Sequence, residues 1–367
     1  MTKRVRVGIV GCGVVATRDI LPNLVRSEVA QKVDLVAVCD VVTDRAEETA
    51  QTFGAAECYA GHEAMLAQSD IDAVLVVTPI PYHFPVALAA AEAGKHVYVQ
   101  KSMTTTLEEA NRLLNAVRAA GVTLTASPGE MQNPYINLPQ VREMIEAGAI
   151  GKVTWGYLIR SGAGHESEQA RQNEGLMNVD PTWYYKKGGG PVMDSGVYSL
   201  HRLTGILGPV RKVAALSGMA IPVREWKGKR IDVEIDDQTL MLLDFGQDRY
   251  ITLASTWTVK ANKGLGMAIY GTKGTIHMIR SGFDMFTPEE SFGGPGWVTV
   301  PGPKRPEGPG ASGRHILADI LELVQCIQGN KDPTVATGEH ARHVVEVIEK
   351  AYISSRTGQT LDITTTF

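Results

Sequence analysis

The sequence predicts an α/β Rossmann domain with a doubly wound parallel sheet, followed by an α+β C-terminal domain with a large open, mostly antiparallel sheet. In the first third, short and nearly continuous apolar runs alternate with amphipathic segments, which is typical of parallel strands covered on both faces. Beyond about residue 127 the apolar runs are longer, and few helices separate them. We therefore divide the chain into residues 1–127 and 128–367, with terminal helices free to pack back on the first domain.

The first domain contains five predicted strands and four predicted helices. The strands are the apolar runs at residues 5–10, 33–39, 73–77, 96–99 and 122–126. The helices are the amphipathic stretches between them, at residues 14–29, 44–53, 82–93 and 107–119. This regular alternation predicts repeated βαβ units, whose strands end at the same edge of the sheet.

The second domain contains more strand than helix. Its predicted strands cover residues 153–160, 210–216, 239–245, 250–259 and 266–279. Its predicted helices cover residues 138–147, 194–207, 315–328 and 339–355. Residues 161–178 and 293–313 follow neither period and are predicted loops, and long loops on a rigid scaffold often carry function.

Composition narrows the classes of partner. The chain has 367 residues with 36 Lys and Arg against 40 Asp and Glu, so its charge of −4 gives no electrostatic reason to expect nucleic acid or membrane as a partner. No apolar run approaches the ~18 residues of a membrane-spanning helix. No signal segment precedes the first apolar run, so we expect a cytoplasmic protein. The four scattered cysteines have no zinc spacing, and we predict no metal site.

A glycine-rich turn follows the first predicted strand and opens a helix, in the pattern G-x-G-x-x-A. The first glycine allows the tight turn, the second lets a pyrophosphate approach the backbone, and the alanine permits close packing of helix on strand. The alternative is a glycine turn of another α/β fold. The predicted contacts with a dinucleotide are Gly11, Cys12, Gly13, Val14 and Val15.

Asp40 ends the second predicted strand, 27 residues past Gly13. An acidic residue near this place hydrogen-bonds the adenosine ribose, and its carboxylate would repel a 2′-phosphate. The next three residues carry no basic side chain, although Arg45 is close. We therefore expect NAD rather than NADP. Asp40 could instead cap the following helix.

Two further strand ends point to the same crevice, because ligands bind outside the carboxyl ends of strands in such sheets. Thr78 and Pro79 close one strand and are followed by His83. Gln100 and Lys101 close the next strand. A lone lysine is commonly an exposed loop charge, but a lysine at the end of a strand beside a dinucleotide site is a candidate for catalysis.

Residues 188–201 combine three successive glycines with Asp194, Tyr198 and His201. If a regular helix begins near Asp194, these three side chains are spaced i, i+4 and i+7 and share one face. An acid, a phenol and an imidazole on one face can transfer protons. Each also has a structural interpretation, as an N-cap, a half-buried aromatic residue and a core histidine.

At these motifs the chain resembles the Gfo/Idh/MocA oxidoreductases, the family of glucose-fructose oxidoreductase and inositol dehydrogenase, over nearly its whole length. The resemblance rests on the glycine turn, the strand end at residues 78–83, the residues Gln100-Lys101-Ser102 and the segment 188–201. The family usually has Glu-Lys-Pro at the lysine motif and asparagine where this chain has Ile80. It often has histidine where Tyr198 stands and aspartate where His201 stands.

The resemblance implies an NAD-binding Rossmann domain and a second domain that binds substrate and forms oligomer contacts. It implies hydride transfer between nicotinamide and a sugar, sugar derivative or inositol. It further implies that Lys101 bonds the reacting oxygen and that Asp194 anchors hydroxyls or orients the lysine. Tyr198 is the favoured acid/base and His201 the competing one. His165 and Trp183 are the remaining candidates for substrate contacts, although Trp183 could flank the nicotinamide or lie in the core.

Three alternative functions remain open at this point. Some relatives are NAD-dependent glycosidases, which oxidise, eliminate and reduce again. Such an enzyme would need a further base, for which His165, Glu166 and Glu168 are candidates. The second alternative is a dinucleotide sensor without catalysis. The third is reduction of biliverdin or a dihydrodiol. An open sheet face would favour a homodimer or homotetramer.

Overall fold

The first sheet has six parallel strands in the order β3-β2-β1-β4-β5-β6. The computed structural model describes residues 3–168, 176, 178–261, 266–279, 282–304, 307–329 and 331–367. Strands β1 to β6 are Val5–Val10, Val33–Cys39, Glu57–Tyr59, Ala73–Val76, His96–Val99 and Leu124–Ala126. The strand order reverses between β1 and β4, so a crevice opens beyond the carboxyl ends of these two strands.

Helices cover this sheet on both faces. They are α1 Leu21–Leu24, α2 Ser27–Ala30, α3 Thr43–Phe53, α4 His62–Gln68, α5 His83–Glu92 and α6 Leu107–Ala120. The single helix predicted at residues 14–29 is a π-helical turn, Ala16–Ile20, followed by α1 and α2. The sequence prediction also lacked β3 and α4. Strand β3 has only three residues and lies at the edge of the sheet, where no continuous apolar run is needed.

The second sheet has nine strands in the order β16-β15-β14-β13-β7-β12-β11-β8-β17. Only the pair of β7 and β12 is parallel, so the predicted mostly antiparallel sheet is confirmed. The strands are β7 Val153–Ser161, β8 Lys212–Gly218, β11 Gln238–Asp244, β12 Tyr250–Thr256, β13 Met267–Gly271, β14 Thr275–Ile279, β15 Gly282–Thr287, β16 Gly296–Pro301 and β17 Leu361–Asp362. A separate hairpin pairs β9 Val223–Trp226 with β10 Lys229–Asp232.

Two predictions for this domain were wrong in detail. The run predicted as one strand at residues 266–279 is the hairpin of β13 and β14, which turns between Gly271 and Gly274. The loop predicted at residues 293–313 contains β16, which pairs with β15 at the edge of the sheet. The glycines and prolines on either side of β16 hid its alternating pattern.

The helices of the second domain lie on one face of its sheet and also reach the first sheet. They are α7 Leu138–Glu146, α8 Val197–Leu207, α9 Arg314–Gly329 and α10 Gly338–Thr357. Helices α7, α8 and α10 share a hydrophobic core with the buried face of the nine-stranded sheet. Helix α9 instead packs Ile320, Leu323 and Val324 in one cluster with β1 of the first sheet. Among the described residues, no helix is both long and apolar enough to cross a bilayer.

Three histidines are buried where α8 meets α10 and the C-terminal residue. The ring centroids of His201 and His340 lie 4.4 Å apart, and the ring of Phe367 stacks on His340 at 3.9 Å. Burial lowers the pKa of His340 to about 3 and that of His343 to about 4. These imidazoles are therefore neutral in the folded protein at pH 7.

This cluster predicts a loss of stability in mild acid. Histidine in an unfolded chain has a pKa of ~6.5, so between roughly pH 6.5 and pH 4 these histidines bind more protons in the unfolded chain than in the folded chain. Their contribution to the free energy of unfolding should be fully present above that range and should be lost as the pH drops through it. His340→Gln should reduce the slope by roughly 1.4 kcal/mol per pH unit, the value for one proton. Urea unfolding at several pH values measures this, and an unchanged slope would show that His340 is protonated in the folded protein.

Candidate active site

The turn after β1 brings the ends of β1 and β4 into contact. Gly11 has φ +98°, and a Cβ atom there would lie 2.7 Å from the backbone of Val77, so only glycine fits. A Cβ atom at Gly13 would meet nothing within 4 Å. The backbone at Gly13 therefore faces open space at the start of a helical segment, which fits the pyrophosphate of a dinucleotide.

Asp40 lies beside this turn with its carboxylate almost fully buried. Its two oxygens accept hydrogen bonds from the backbone N–H groups of Cys12 and Val42, both at 2.9 Å, and Arg45 pairs with it at 3.2 Å. Burial and the neighbouring Asp40 raise the pKa of the Cys12 thiol to about 12. Cys12 therefore contributes its backbone to the turn and remains a neutral thiol.

His83 ties together the ends of β4 and β5. Its Nδ1 lies 2.7 Å from the carbonyl oxygen of Ser102, and its Nε2 lies 2.7 Å from that of Thr78. Burial lowers the pKa of His83 to about 4, although both carbonyl contacts oppose that shift. The Ser102 hydroxyl donates to the carbonyl oxygen of Met193 at 2.9 Å, so this strand end is also fixed to the second domain.

The residues predicted to contact the cofactor, with the exception of the buried Cys12, line one cleft of about 120 Å³. The cleft reaches from the glycine turn past Asp40 to the ends of β4 and β5, and Trp183 forms part of its wall. Trp183 is absent from the lining of the larger pocket described below, so the structure places this side chain on the cofactor side. The predicted residues in the cleft are Gly11, Gly13, Val14, Val15, Asp40, Thr78, Pro79, His83, Gln100 and Lys101.

The glycines at 188–190 lead into a π-helical turn, Val192–Gly196, that precedes α8. Gly188 has φ +87°, and a Cβ atom there would lie 2.7 Å from Pro81 of the first domain. A Cβ atom at Gly189 would lie 2.3 Å from the carbonyl oxygen of Tyr184. These glycines therefore bring the second domain close to the strand ends of the first.

The carboxylate of Asp194, in the π-helical turn, is shared between two cations. Lys101 Nζ donates to Asp194 Oδ1 at 2.5 Å and to the Asp194 carbonyl oxygen at 2.7 Å. His165 Nε2 lies 2.8 Å from Asp194 Oδ2. Burial alone would raise the pKa of Asp194, but Lys101 and His165 hold it well below its usual value. Asp194 is therefore an anion at neutral pH.

His165 lies in a short 3-10 turn that follows β7, within the segment predicted as a loop. Its Nδ1 lies 2.7 Å from Glu168 Oε1, and its ring stacks on Tyr184 with centroids 3.7 Å apart. Burial alone would lower the pKa of His165, but Asp194 and Glu168 together raise it. The rest of the predicted loop, at residues 169–175 and 177, lies outside the described residues.

A buried network holds the turn of His165 in place. Glu166 accepts a hydrogen bond from the Tyr185 hydroxyl and pairs with Arg224 at 2.8 Å. Arg224 also donates to the carbonyl oxygen of Ala163 at 2.8 Å and pairs with Asp237 at 3.3 Å. This role of Arg224 could not be predicted from the sequence, because Arg224 lies 58 residues from Glu166 in a polar hairpin.

Of the three side chains predicted to share one face, Asp194 and Tyr198 both line the larger pocket, whereas His201 does not. Tyr198 lines the larger pocket, with Lys101 Nζ 5.2 Å from its ring centroid. His201 points into the core against His340, and burial together with His340 and His343 holds its pKa well below 6.5. The i, i+4, i+7 spacing assumes a regular α-helix, and the π-helical turn changes the residues per turn between Asp194 and α8.

The larger pocket has a volume of about 580 Å³ and adjoins the cofactor cleft. Lys101 and Asp194 line both, so they lie at the junction of the two. Further polar side chains line this pocket that the sequence did not predict. They are Arg18, Asp19, Arg160, Ser161, Ser167, Ser195, Thr256, Ser312 and His315. They come from distant parts of the chain and carry no motif. In the described ranges, no three His, Cys, Asp or Glu side chains are grouped to hold a metal ion.

Burial raises the pKa of the Tyr198 hydroxyl well above 10, and the charges of Asp194 and Glu130 act in the same direction. Tyr198 is therefore a neutral phenol beside Lys101, able to donate a hydrogen bond into the pocket. The arrangement as a whole presents an ammonium, a phenol and a shared carboxylate where the two cavities meet.

Comparison with known proteins agrees with this fold. A family model described as an oxidoreductase family with an NAD-binding Rossmann fold matches residues 5–127. A model of the GFO/IDH/MocA C-terminal domain matches residues 138–277. A levoglucosan dehydrogenase solved with NADH and L-sorbose superposes with a TM-score of 0.82 over 99% of both chains, at 19% sequence identity.

Two curated relatives are similar in sequence to about half of this chain. A dTDP-3,4-didehydro-2,6-dideoxy-alpha-D-glucose 3-reductase of Streptomyces violaceoruber is 29% identical over 58% of this chain and 57% of its own length. Inositol 2-dehydrogenase 3 of Saccharopolyspora erythraea is 31% identical over 48% of this chain and 52% of its own length. The chain thus spans little more than half the length of these relatives. Since the two family models together match most of the chain, the protein belongs to the GFO/IDH/MocA oxidoreductase family, with an NAD-binding Rossmann fold.

Proposed function

We propose that the protein is an NAD-dependent oxidoreductase that transfers a hydride between nicotinamide and a ring hydroxyl or ketone of a sugar, sugar derivative or inositol. The observation that carries this proposal is the ion pair of Lys101 and Asp194 at the junction of the cofactor cleft and the larger pocket. A substrate in the larger pocket would present its reacting carbon to the cofactor at this junction.

The residues at the junction suit alcohol oxidation and ketone reduction. The bound nicotinamide supplies the hydride acceptor or donor. Lys101 binds the reacting oxygen, and its positive charge stabilises the negative charge that develops there. Asp194 orients Lys101 through two contacts and keeps its ammonium directed at the junction. Tyr198, as a neutral phenol, donates the proton that the reacting oxygen receives in ketone reduction, and its oxygen takes that proton back when the hydroxyl is oxidised.

The substrate class follows from the chemistry of the larger pocket and from the relatives. Hydroxyl, guanidinium and imidazole groups line this pocket, which suits a ligand with many hydroxyl groups. Two relatives are named inositol 2-dehydrogenase and levoglucosan dehydrogenase, and both names describe oxidation of a polyhydroxylated ring. His165 belongs to this substrate side of the site.

An NAD-dependent glycosidase is the second candidate, because His165 and Glu168 together supply a further acid/base group inside the pocket. Glu166 is a weaker candidate for that role, since Arg224 and Tyr185 already bind its carboxylate. A sensor without catalysis is the least supported alternative, because binding a dinucleotide does not require a buried lysine–aspartate pair at the nicotinamide end.

We further propose that the protein is a homodimer or homotetramer of the cytoplasm. The outer face of the nine-stranded sheet exposes an interrupted row of large apolar side chains on six of its strands, and no described segment covers these side chains. Leu216 is 72% and Trp297 62% exposed. Monomers rarely expose so large an apolar patch, and a second copy with the same face can cover it about a two-fold axis. The row consists of Trp155, Leu216, Leu240, Leu242, Tyr250, Phe286 and Trp297.

The first prediction concerns the choice of cofactor. NADH should bind more tightly than NADPH, because the Asp40 carboxylate would lie against a 2′-phosphate. Asp40→Ser should reduce the ratio of the two dissociation constants roughly tenfold, a change of about 1.4 kcal/mol. Fluorescence titration with both cofactors measures this ratio. Asp44→Ser removes an exposed carboxylate four residues away and serves as control. Equal affinities in the parent protein would refute the role of Asp40.

The second prediction tests the proposed activity. Incubation with NAD and a panel of sugars and inositols should increase the absorbance of reduced nicotinamide with at least one of them. Lys101→Met should lower turnover by at least ~100-fold, because it removes the positive charge at the reacting oxygen, while NADH still binds because the glycine turn and Asp40 are unchanged. Lys32→Met, at an exposed lysine of the first domain, is the matched control.

Three outcomes of that assay would contradict the proposal. Release of an aglycone from aryl glycosides without net formation of NADH would identify the glycosidase. Binding of NADH without turnover of any sugar, inositol or glycoside would favour the sensor. Full activity of Lys101→Met would place the chemistry elsewhere.

The third prediction concerns assembly. Size-exclusion chromatography with light scattering should show at least a dimer at micromolar concentration. Replacing Leu240 and Leu242 by glutamate should produce monomers, because charge would be buried in the contact. Val25→Glu changes an exposed apolar residue of the first domain and should not alter the mass. A monomeric parent protein would contradict the proposed use of the sheet face.

A further inference from the structure

We propose that His165 is a positioning residue of this site, which acts through Asp194 on Lys101 and requires Glu168 to do so. The proposal rests on the function proposed above. It assigns His165 a role beyond contact with substrate, and it assigns Glu168 a role that needs no glycosidase chemistry.

Four side chains form an unbroken row of hydrogen bonds from the reacting end of the site to the surface. Lys101 binds Asp194 Oδ1 at 2.5 Å, His165 Nε2 lies 2.8 Å from Asp194 Oδ2, and His165 Nδ1 lies 2.7 Å from Glu168 Oε1. The side chains of Lys101 and Asp194 are 12% and 7% exposed, whereas that of Glu168 is 34% exposed. Positive and negative groups alternate along the row.

Both nitrogens of His165 face carboxylates. An ionised carboxylate accepts hydrogen bonds and has no proton to donate. An imidazolium has two N–H groups and satisfies both carboxylates, but a neutral imidazole has only one. Loss of the proton therefore breaks one of the two contacts. Either Asp194 Oδ2 keeps only the hydrogen bond that the Ser195 hydroxyl donates to it at 3.0 Å, or His165 loses its anchor at Glu168.

The surroundings of the imidazole favour its charged form. Asp194 and Glu168 contact it directly, and they raise its pKa although burial opposes the shift. The ring of Tyr184 stacks on one face, and the edge of the ring meets Trp257 with centroids 5.1 Å apart. The other ionisable or charged groups nearby are Lys101 beyond Asp194, Arg18 near Glu168, and the network of Glu166, Tyr185 and Arg224 on the same turn.

The consequence for catalysis follows from the buried charge of Asp194. With His165 charged, each oxygen of Asp194 has a cationic partner, and Lys101 stays directed at the junction. When His165 loses its proton, Asp194 can turn, and the ammonium of Lys101 turns with it. A displacement of about 1 Å at a catalytic group can cost roughly 100-fold in rate. Turnover should thus fall as His165 deprotonates, while the larger pocket still binds substrate.

The test uses ketone reduction with NADH by the full-length protein. The parent kcat should fall with rising pH through an inflection above the ordinary histidine pKa of ~6.5. His165→Ala should lower kcat roughly 10- to 100-fold with a smaller change in KM. His165→Gln keeps an amide N–H near Asp194 at every pH, so it should recover part of the lost kcat and show no such inflection.

Glu168→Gln separates this role from a merely structural one. It preserves a hydrogen bond but removes the negative charge, so the inflection should move down by at least about one pH unit. His62→Gln, at a histidine of the first domain that pairs with Glu63, should keep the parent profile. An unmoved inflection in Glu168→Gln, or equal activity of His165→Ala and the parent, would overturn the proposal.

A second measurement does not depend on turnover and distinguishes a failure of this inference from a failure of the proposed function. Titration of the His165 imidazole by NMR should give a pKa above 6.5 in the parent protein and a lower one in Glu168→Gln and Asp194→Asn. A value at or below 6.5 in the parent would refute the inference even if the protein oxidises sugars. A raised value in a protein that turns over no sugar would leave the pairing intact and refute only the activity.

Discussion

The buried carboxylate of Asp194 is the constraint on which the site depends. A charge of this kind is very costly in a protein interior unless cationic partners and hydrogen bonds compensate it. One partner, Lys101, comes from the end of β5 in the first sheet, and the other, His165, follows β7 in the second sheet. The second domain itself supplies His165 and the hydroxyl of Ser195, which donates to Asp194 at 3.0 Å, so Lys101 is the partner that reaches Asp194 from the first domain. This pair joins the two domains where the cofactor cleft and the larger pocket meet.

The backbone around Asp194 is built to permit this approach. Gly188 and Gly189 lie where any side chain would collide with Pro81 or with the carbonyl oxygen of Tyr184. Ser102, next to Lys101, donates its hydroxyl proton to the carbonyl oxygen of Met193 and so joins the strand end to the π-helical turn. A serine here replaces the proline usual in the family, and this hydrogen bond gives it a structural purpose. Helix α9 returns to the first sheet and closes the far side of the larger pocket with His315.

The parts of the site that are formed by residues close together in the sequence could be predicted from local patterns. The strands around the cofactor, the glycine turn, and the candidates Asp40, Lys101 and Asp194 all follow from short-range periodicity or from a family motif. The place of His201 did not, because a rule that assumes 3.6 residues per turn cannot anticipate a π-helical turn. Strand β3 was missed because it is short and lies at the edge of the sheet, and β16 was missed because glycines and prolines flank its alternating pattern.

The pairing of His165 with Asp194 could not be predicted, because 29 residues and a change of element separate them. Arg224, which holds the turn of His165 through Glu166, lies even farther away in the sequence, 58 residues from Glu166.

The most direct test of the whole account is a crystal structure of the protein with NADH. The account predicts that the nicotinamide C4 atom lies at the junction, within reach of a substrate held by Lys101, and that Asp194 contacts both Lys101 and His165. A nicotinamide ring outside the junction, or an Asp194 without one of these partners, would contradict it.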